Sequence, residues 1–94
     1  YVLRCADESF YAGITTNITR RLDEHNNSNK AAKYTRVRRP LSLVLYWRCA
    51  SRSEAQRIEY KFKRLSRKQK EKVLHDKRQQ EDFFKVARGQ GEGL

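Results

Sequence analysis

The chain has 94 residues, with 22 Lys and Arg against 11 Asp and Glu and a net charge of +11. A chain this short buries only about 60–65% of the surface its unfolded form exposes, which argues against a deep metabolite pocket. The excess of basic charge favours a nucleic-acid partner. An anionic membrane surface is disfavoured, because no run of about 20 apolar residues is present.

Cys5 and Cys49 alternate with apolar residues and read as buried reduced thiols. Without a CxxC pair or a Cys/His cluster, zinc is not expected. No signal peptide is visible, so a cytoplasmic, reducing compartment is the expectation. The chain begins at Tyr1 rather than Met, and the first strand is expected to start upstream of it.

Residues 1–5 read as a strand, 6–9 as a turn without glycine, and 10–15 as the returning strand. Tyr1 and Tyr11 share a face only if the connecting loop holds an odd number of residues, for example Asp7 to Ser9, and a shared face is expected. Thr16 or Asn17 caps a helix over about 18–26. Ile18 and Leu22 point to its core side, and Arg21 and His25, also four apart, form an adjacent stripe. Residues 30–40 read as a basic loop that ends at Pro40. Residues 41–49 alternate, with Leu41, Leu43, Leu45, Trp47 and Cys49 on one face, and read as the central strand.

Ser53 with Gln56 reads as a capping box opening a helix that carries Ala55, Ile58, Phe62 and Leu65 on one stripe, with Glu59 at its edge. Ser66 with Gln69 opens a third helix over about 67–75. Residues 77–88 add a basic helix anchored by Phe83, Phe84 and Val86, and 89–94 read as a frayed tail. The order β-β-α-β-α-α implies an α+β fold: a small three-stranded antiparallel sheet flanked by helices. Residues 1–75 are expected to form the functional domain and 76–94 a basic extension.

Five residues carry chemistry at suggestive spacings: Tyr1, Tyr11, Arg21, His25 and Glu59. A phenol can serve as base or water positioner, a guanidinium can hold phosphate charge, and one carboxylate can hold a divalent metal. That is the inventory of phosphodiester cleavage. Each residue also has a structural reading. The tyrosines suit strands, Arg21 suits a solvated helix face, His25 suits a helix C-terminus, and Glu59 suits an i,i+4 pair with Lys63.

Taken together, Tyr1-Val2-Leu3, Tyr11-Ala12-Gly13, the run from Gly13 to His25, Ala32-Lys33-Tyr34-Thr35-Arg36, and Ser51 to Ala55 leading to Glu59 resemble the GIY-YIG nuclease superfamily. The likeness is nearest to its small single-domain, UPF0213-like branch, related to the nuclease domain of Slx-type Holliday-junction-resolving proteins, and it covers about residues 1–75. The resemblance implies a metal-dependent DNA endonuclease. Tyr1 would be base or water positioner, Tyr11 would bond near the scissile phosphate, and Arg21 would steady its charge. His25 would either support a neighbouring site residue or position substrate, and Glu59 would bind the metal, Mg²⁺ or Mn²⁺. Ile14 stands where some relatives carry a lysine, for which Lys33 is the candidate substitute. Leu65-Ser66-Arg67-Lys68 stands where some carry asparagine after proline, and Glu8 replaces a common turn glycine.

Lys30, Lys33, Tyr34, Arg36, Arg38 and Arg39 in the loop, with Arg64, Arg67, Lys68, Lys70 and Lys72 on the helices, are expected to track phosphates. Such contacts give a steep salt dependence and little sequence reading. No recognition helix is evident, so branched, nicked or single-stranded DNA in repair or recombination is the expected substrate. A non-catalytic nucleic-acid-binding module, or a domain active only with a protein partner or as a dimer, stays open.

Overall fold

A computed structural model describes residues 1–89 of the chain. The expected tail from residue 90 onward lies outside the described residues. The elements are β1 (Val2–Arg4), β2 (Phe10–Ala12), α1 (Ile18–Asn27), α2 (Lys33–Arg36), β3 (Ser42–Leu45), α3 (Arg52–Lys63), α4 (Arg67–His75) and α5 (Lys77–Ala87). The architecture is α+β, with three antiparallel strands in the order β2-β1-β3. The chain divides into two compact units, Tyr1–Tyr46 and Trp47 onward.

In the first unit the hairpin is held by Leu3 opposite Tyr11. Cys5 N–H donates to Ser9 O (2.8 Å), and Glu8 N–H donates to Cys5 O (2.9 Å). The loop proper is therefore Ala6 to Glu8, an odd count one residue earlier than expected, and Tyr1 and Tyr11 do share a face. This is a tight turn followed by a residue in the left-handed region. That residue is Glu8, at φ 70°.

The central strand is β1, not the expected β3. Val2 and Leu3, adjacent and so facing opposite sides, are both 1% exposed, which requires cover on both faces of the strand. β3 is an edge strand and ends at Leu45, not Cys49. Its register slips between Val2 and Leu3, setting Leu43 opposite Leu3 but Leu45 opposite Val2. The extra residue of a bulge breaks the uniform leucine face that alternation predicts. Leu3, Cys5 and Leu41 form the buried cluster, with Tyr1, Tyr11, Leu22 and Leu43 packed against it.

Asn17 caps α1 by accepting from Arg20 N–H (3.0 Å). At the other end, Arg39 donates to the carbonyls of His25 (2.6 Å) and Ser28 (2.6 Å), satisfying groups that a helix terminus leaves unpaired. Asn26 both donates to Leu41 O (3.0 Å) and accepts from Leu41 N–H (2.7 Å), docking the helix end to the approach to β3. The expected basic loop contains one helical turn, α2. A four-residue helix is too short to show periodicity in sequence.

In the second unit α3 begins two residues earlier than expected. Ser51, not Ser53, accepts from Glu54 N–H (3.1 Å), and the Glu54 carboxylate reaches back to Ala50 N–H (3.1 Å). Two windows of the same spacing overlap there, and the one carrying a carboxylate forms the cap. Ser66 and Gln69 do make the capping box of α4. Asp76 ends α4 and caps α5. Trp47 lies stacked on Phe84 (5.7 Å between ring centroids, 9° between planes) and against Phe83 (5.5 Å) and Phe62 (6.3 Å). Val86, expected as an anchor, is exposed, and Ala87 is the buried residue of α5. No helix among the described residues is long and apolar enough to cross a membrane.

Candidate active site

The hairpin and α1 bring Tyr1, Tyr11, Arg21 and His25 together within the first unit. The Tyr1 hydroxyl lies 2.8 Å from His25 Nε2. The Tyr11 ring meets the His25 ring edge-on at 5.2 Å and lies 6.5 Å from the Tyr1 ring. Gly13 makes this possible: a Cβ there would sit 2.6 Å from Tyr1 Oη and 2.8 Å from Cζ. The phenol rests directly on the glycine backbone, which any side chain would obstruct.

His25 is fully buried (0% exposed). Its Nδ1 is 2.7 Å from the hydroxyl of Thr35, also 0% exposed, and that hydroxyl donates to Ala32 O at 2.9 Å. Burial pushes the His25 pKa down to about 4; the charge of Arg21, and less so of Arg39, adds to that, partly offset by Glu24. The ring is therefore neutral at physiological pH.

Arg21 donates to Glu24 Oε1 (3.0 Å) and Lys30 O (2.9 Å). Burial works against its charge, but the bonds to Glu24 and to the Tyr1 phenol outweigh it and raise its pKa. The guanidinium is thus a fixed positive charge beside the phenol.

Tyr34 stacks on Tyr11 (6.1 Å, 23°), and the Arg38 guanidinium lies 3.7 Å from the Tyr34 ring centre. Arg38 also binds Asp7 (3.0 Å). Of the expected phosphate-tracking residues, Lys30, Lys33, Tyr34, Arg36, Arg64, Arg67, Lys68 and Lys72 are exposed, and Arg38, Arg39 and Lys70 are half-buried. Arg39 is committed to the end of α1, Arg64 to the Tyr60 hydroxyl (2.9 Å) and Arg67 to Glu71 (3.0 Å).

Glu59 lies in the second unit, on α3, half-buried and paired with Lys63 at 3.1 Å. No group of three or more His, Cys, Asp or Glu among the described residues could hold a metal ion. A cation here would rest on one carboxylate, water and substrate oxygens. That fits Mg²⁺, which keeps several waters and commonly takes one or two carboxylates. Its partner Lys63 is exposed.

Thr35 was not legible as a site residue. It sits in a run of basic residues, and only the fold sets it against His25, ten residues back, and Ala32, three residues back.

A GIY-YIG catalytic-domain model matches residues 1–72, and the chain belongs to this family of nuclease domains. It is similar to the UPF0213 protein DP2720 of Desulfotalea psychrophila, 56% identical over 66 residues, or 70% of this chain and 60% of that one. It is also similar to the UPF0213 protein YazA of Bacillus subtilis, 43% identical over 86 residues (92% and 86%). The UPF0213 protein SH2523 of Staphylococcus haemolyticus is 46% identical over 77 residues (82% and 93%). No solved structure matches.

Proposed function

We propose that the chain is a divalent-metal-dependent endonuclease that hydrolyses DNA phosphodiesters, selecting branched, nicked or single-stranded structure, in repair or recombination. The observation that carries this reading is the Tyr1 hydroxyl bonded to a buried, neutral His25, set against Arg21 in a family of nuclease domains.

Proton affinities constrain the roles. A phenol holds its proton far more tightly than an imidazole, and burial weakens the hold of His25 further, so moving the Tyr1 proton outright to His25 is unfavourable. Tyr1 keeps its hydrogen on His25, and its oxygen, which also meets the Arg21 guanidinium, offers its remaining lone pair to an incoming water. As the water oxygen bonds to phosphorus and the bond from phosphorus to the leaving sugar oxygen breaks, the water proton passes to Tyr1 Oη while Tyr1 yields its own to His25 Nε2; the leaving oxygen takes a proton from solvent, and His25 returns its proton through Tyr1 to solvent. A phosphate seated on Arg21 cancels part of the charge that depresses His25, so the relay becomes easier when substrate is bound. Arg21 stabilises the charge gathering on the phosphate oxygens, and Tyr11 orients the group undergoing attack. Glu59 would hold Mg²⁺ or Mn²⁺, which when bound supplies Lewis-acid neutralisation of the phosphate. Lys30, Lys33, Tyr34, Arg36 and Lys68 would engage the DNA backbone and bases without sequence preference.

The Glu59–Lys63 pair favours a second reading, a binding module of the same fold without turnover. The test is Mg²⁺-dependent cleavage of end-labelled branched and single-stranded DNA by the natural full-length protein. Glu59→Ala is run beside it, with binding measured on the same samples. Wild type should cut, and Glu59→Ala should bind but cut about 10²–10³ times more slowly. Equal cutting would remove Glu59 from the site, and binding without cutting by both would favour the second reading.

A further inference from the structure

We propose that Thr35 is a positioning residue whose hydroxyl holds His25 in the single tautomer that leaves Nε2 unprotonated toward the Tyr1 phenol. The kinetic consequence rests on the nuclease reading above, but the tautomer itself does not.

The argument is one of hydrogen count. A threonine hydroxyl has one hydrogen. That of Thr35 is directed to Ala32 O at 2.9 Å, a carbonyl that can only accept and that also takes the N–H groups of Thr35 (3.0 Å) and Arg36 (3.1 Å). Toward His25, 2.7 Å away, the same oxygen has only lone pairs left to offer. With the hydroxyl hydrogen on Ala32 O, His25 Nδ1 carries a hydrogen, and in a neutral ring Nε2 does not. The remaining contact, 2.8 Å to Tyr1, is closed by the tyrosine donating. The chain has one direction, from Tyr1 through His25 and Thr35 to Ala32, and it ends on a group that cannot reverse it. Both His25 and Thr35 are sealed from solvent, so water offers no substitute partner.

Reversal would require the Thr35 hydrogen to leave Ala32 for Nδ1. Nε2–H would then face the Tyr1 oxygen and occupy a lone pair needed to take a proton from water. In serine hydrolases a carboxylate fixes the histidine tautomer and also stabilises the imidazolium. A hydroxyl does only the first, which suits a ring that relays a proton rather than keeping it.

The experiment is nitrogen-15 NMR of the His25 ring in the full-length protein at neutral pH, with Thr35→Val and Thr35→Ser beside wild type. Wild type and Thr35→Ser should show a protonated Nδ1 and a bare Nε2, and Thr35→Val should lose that preference. In cleavage assays Thr35→Val should lower kcat by at least about tenfold with KM unchanged, as for other residues that orient a working histidine, and Thr35→Ser should restore it. A protonated Nε2 in wild type overturns the proposal, as does Thr35→Val keeping both tautomer and kcat. If Thr35→Val fails to fold, the wild-type and Thr35→Ser spectra still decide the tautomer. If the protein cuts no DNA, the nuclease reading falls while the spectra judge Thr35 separately.

Discussion

The two units are held by different kinds of interaction. In the first, side-chain hydrogen bonds join residues far apart in sequence: Tyr1 to His25, Asn26 to Leu41, Arg38 to Asp7, Arg39 to His25. In the second, the side-chain hydrogen bonds described run between residues two to six apart, and the long-range cohesion is aromatic, around Trp47, Phe62, Phe83 and Phe84. Directional bonds fix orientation, whereas apolar contact is tolerant of direction. The bonded row of Tyr1, His25 and Thr35, whose geometry depends on direction, accordingly lies in the first unit. The second can carry helices whose outer faces are free to be basic.

Four substitutions or conditions test that contrast, in falling order of effect. Phe62, 2% exposed in the aromatic cluster, should cost about 3–5 kcal/mol when cut back to alanine, measured by urea unfolding. A loss under ~1 kcal/mol would mean that the second unit does not depend on that cluster.

The second test is pH. The unfolded chain takes a proton at His25 below about pH 6.5, and the folded chain only below about 4. Between those values the unfolded state binds more protons, so stability falls as pH falls through the window and levels off below it. The full effect is at most about 3 kcal/mol. The wild-type dependence should be visibly steeper there than that of His25→Gln, and parallel curves would show that the buried ring is not what titrates.

Third, Gly13→Ala places a methyl against the Tyr1 ring. Overpacking of this kind should cost about 1–3 kcal/mol. Cleavage should fall much more than stability alone explains, because the ring must leave His25. Unchanged cleavage with a normal Tyr1–His25 contact would show that the backbone yields instead. Last, Glu8→Gly relieves a left-handed residue at φ 70° and should gain about 0.5–1 kcal/mol in thermal unfolding, with activity untouched. A loss would mean that the Arg4–Glu8 pair outweighs the backbone strain.

Much of this arrangement was legible in the sequence, and the omissions have physical causes. Parity of the hairpin loop placed Tyr1 and Tyr11 on one face, and four-residue spacing placed Arg21 and His25 on one side of α1, because both rest on local periodicity. The order of strands was misjudged because alternation in residues 41–49 looks the same in an edge strand and a central one. The adjacent apolar pair Val2-Leu3 was the better sign. Thr35 escaped because a buried hydroxyl in a single helical turn has no periodic signature. Arg38 and Arg39 look like their exposed neighbours in sequence; only the fold turns one onto Tyr34 and Asp7 and the other onto the end of α1.

Trp47 is the one tryptophan in the chain, and it lies stacked on Phe84 in the second unit. Four of the five tyrosines precede it. Red-edge excitation would therefore light the second unit alone, and shorter wavelengths would add the first. The protein carries its own pair of optical reporters, able to tell without any label whether its two halves melt together or in turn.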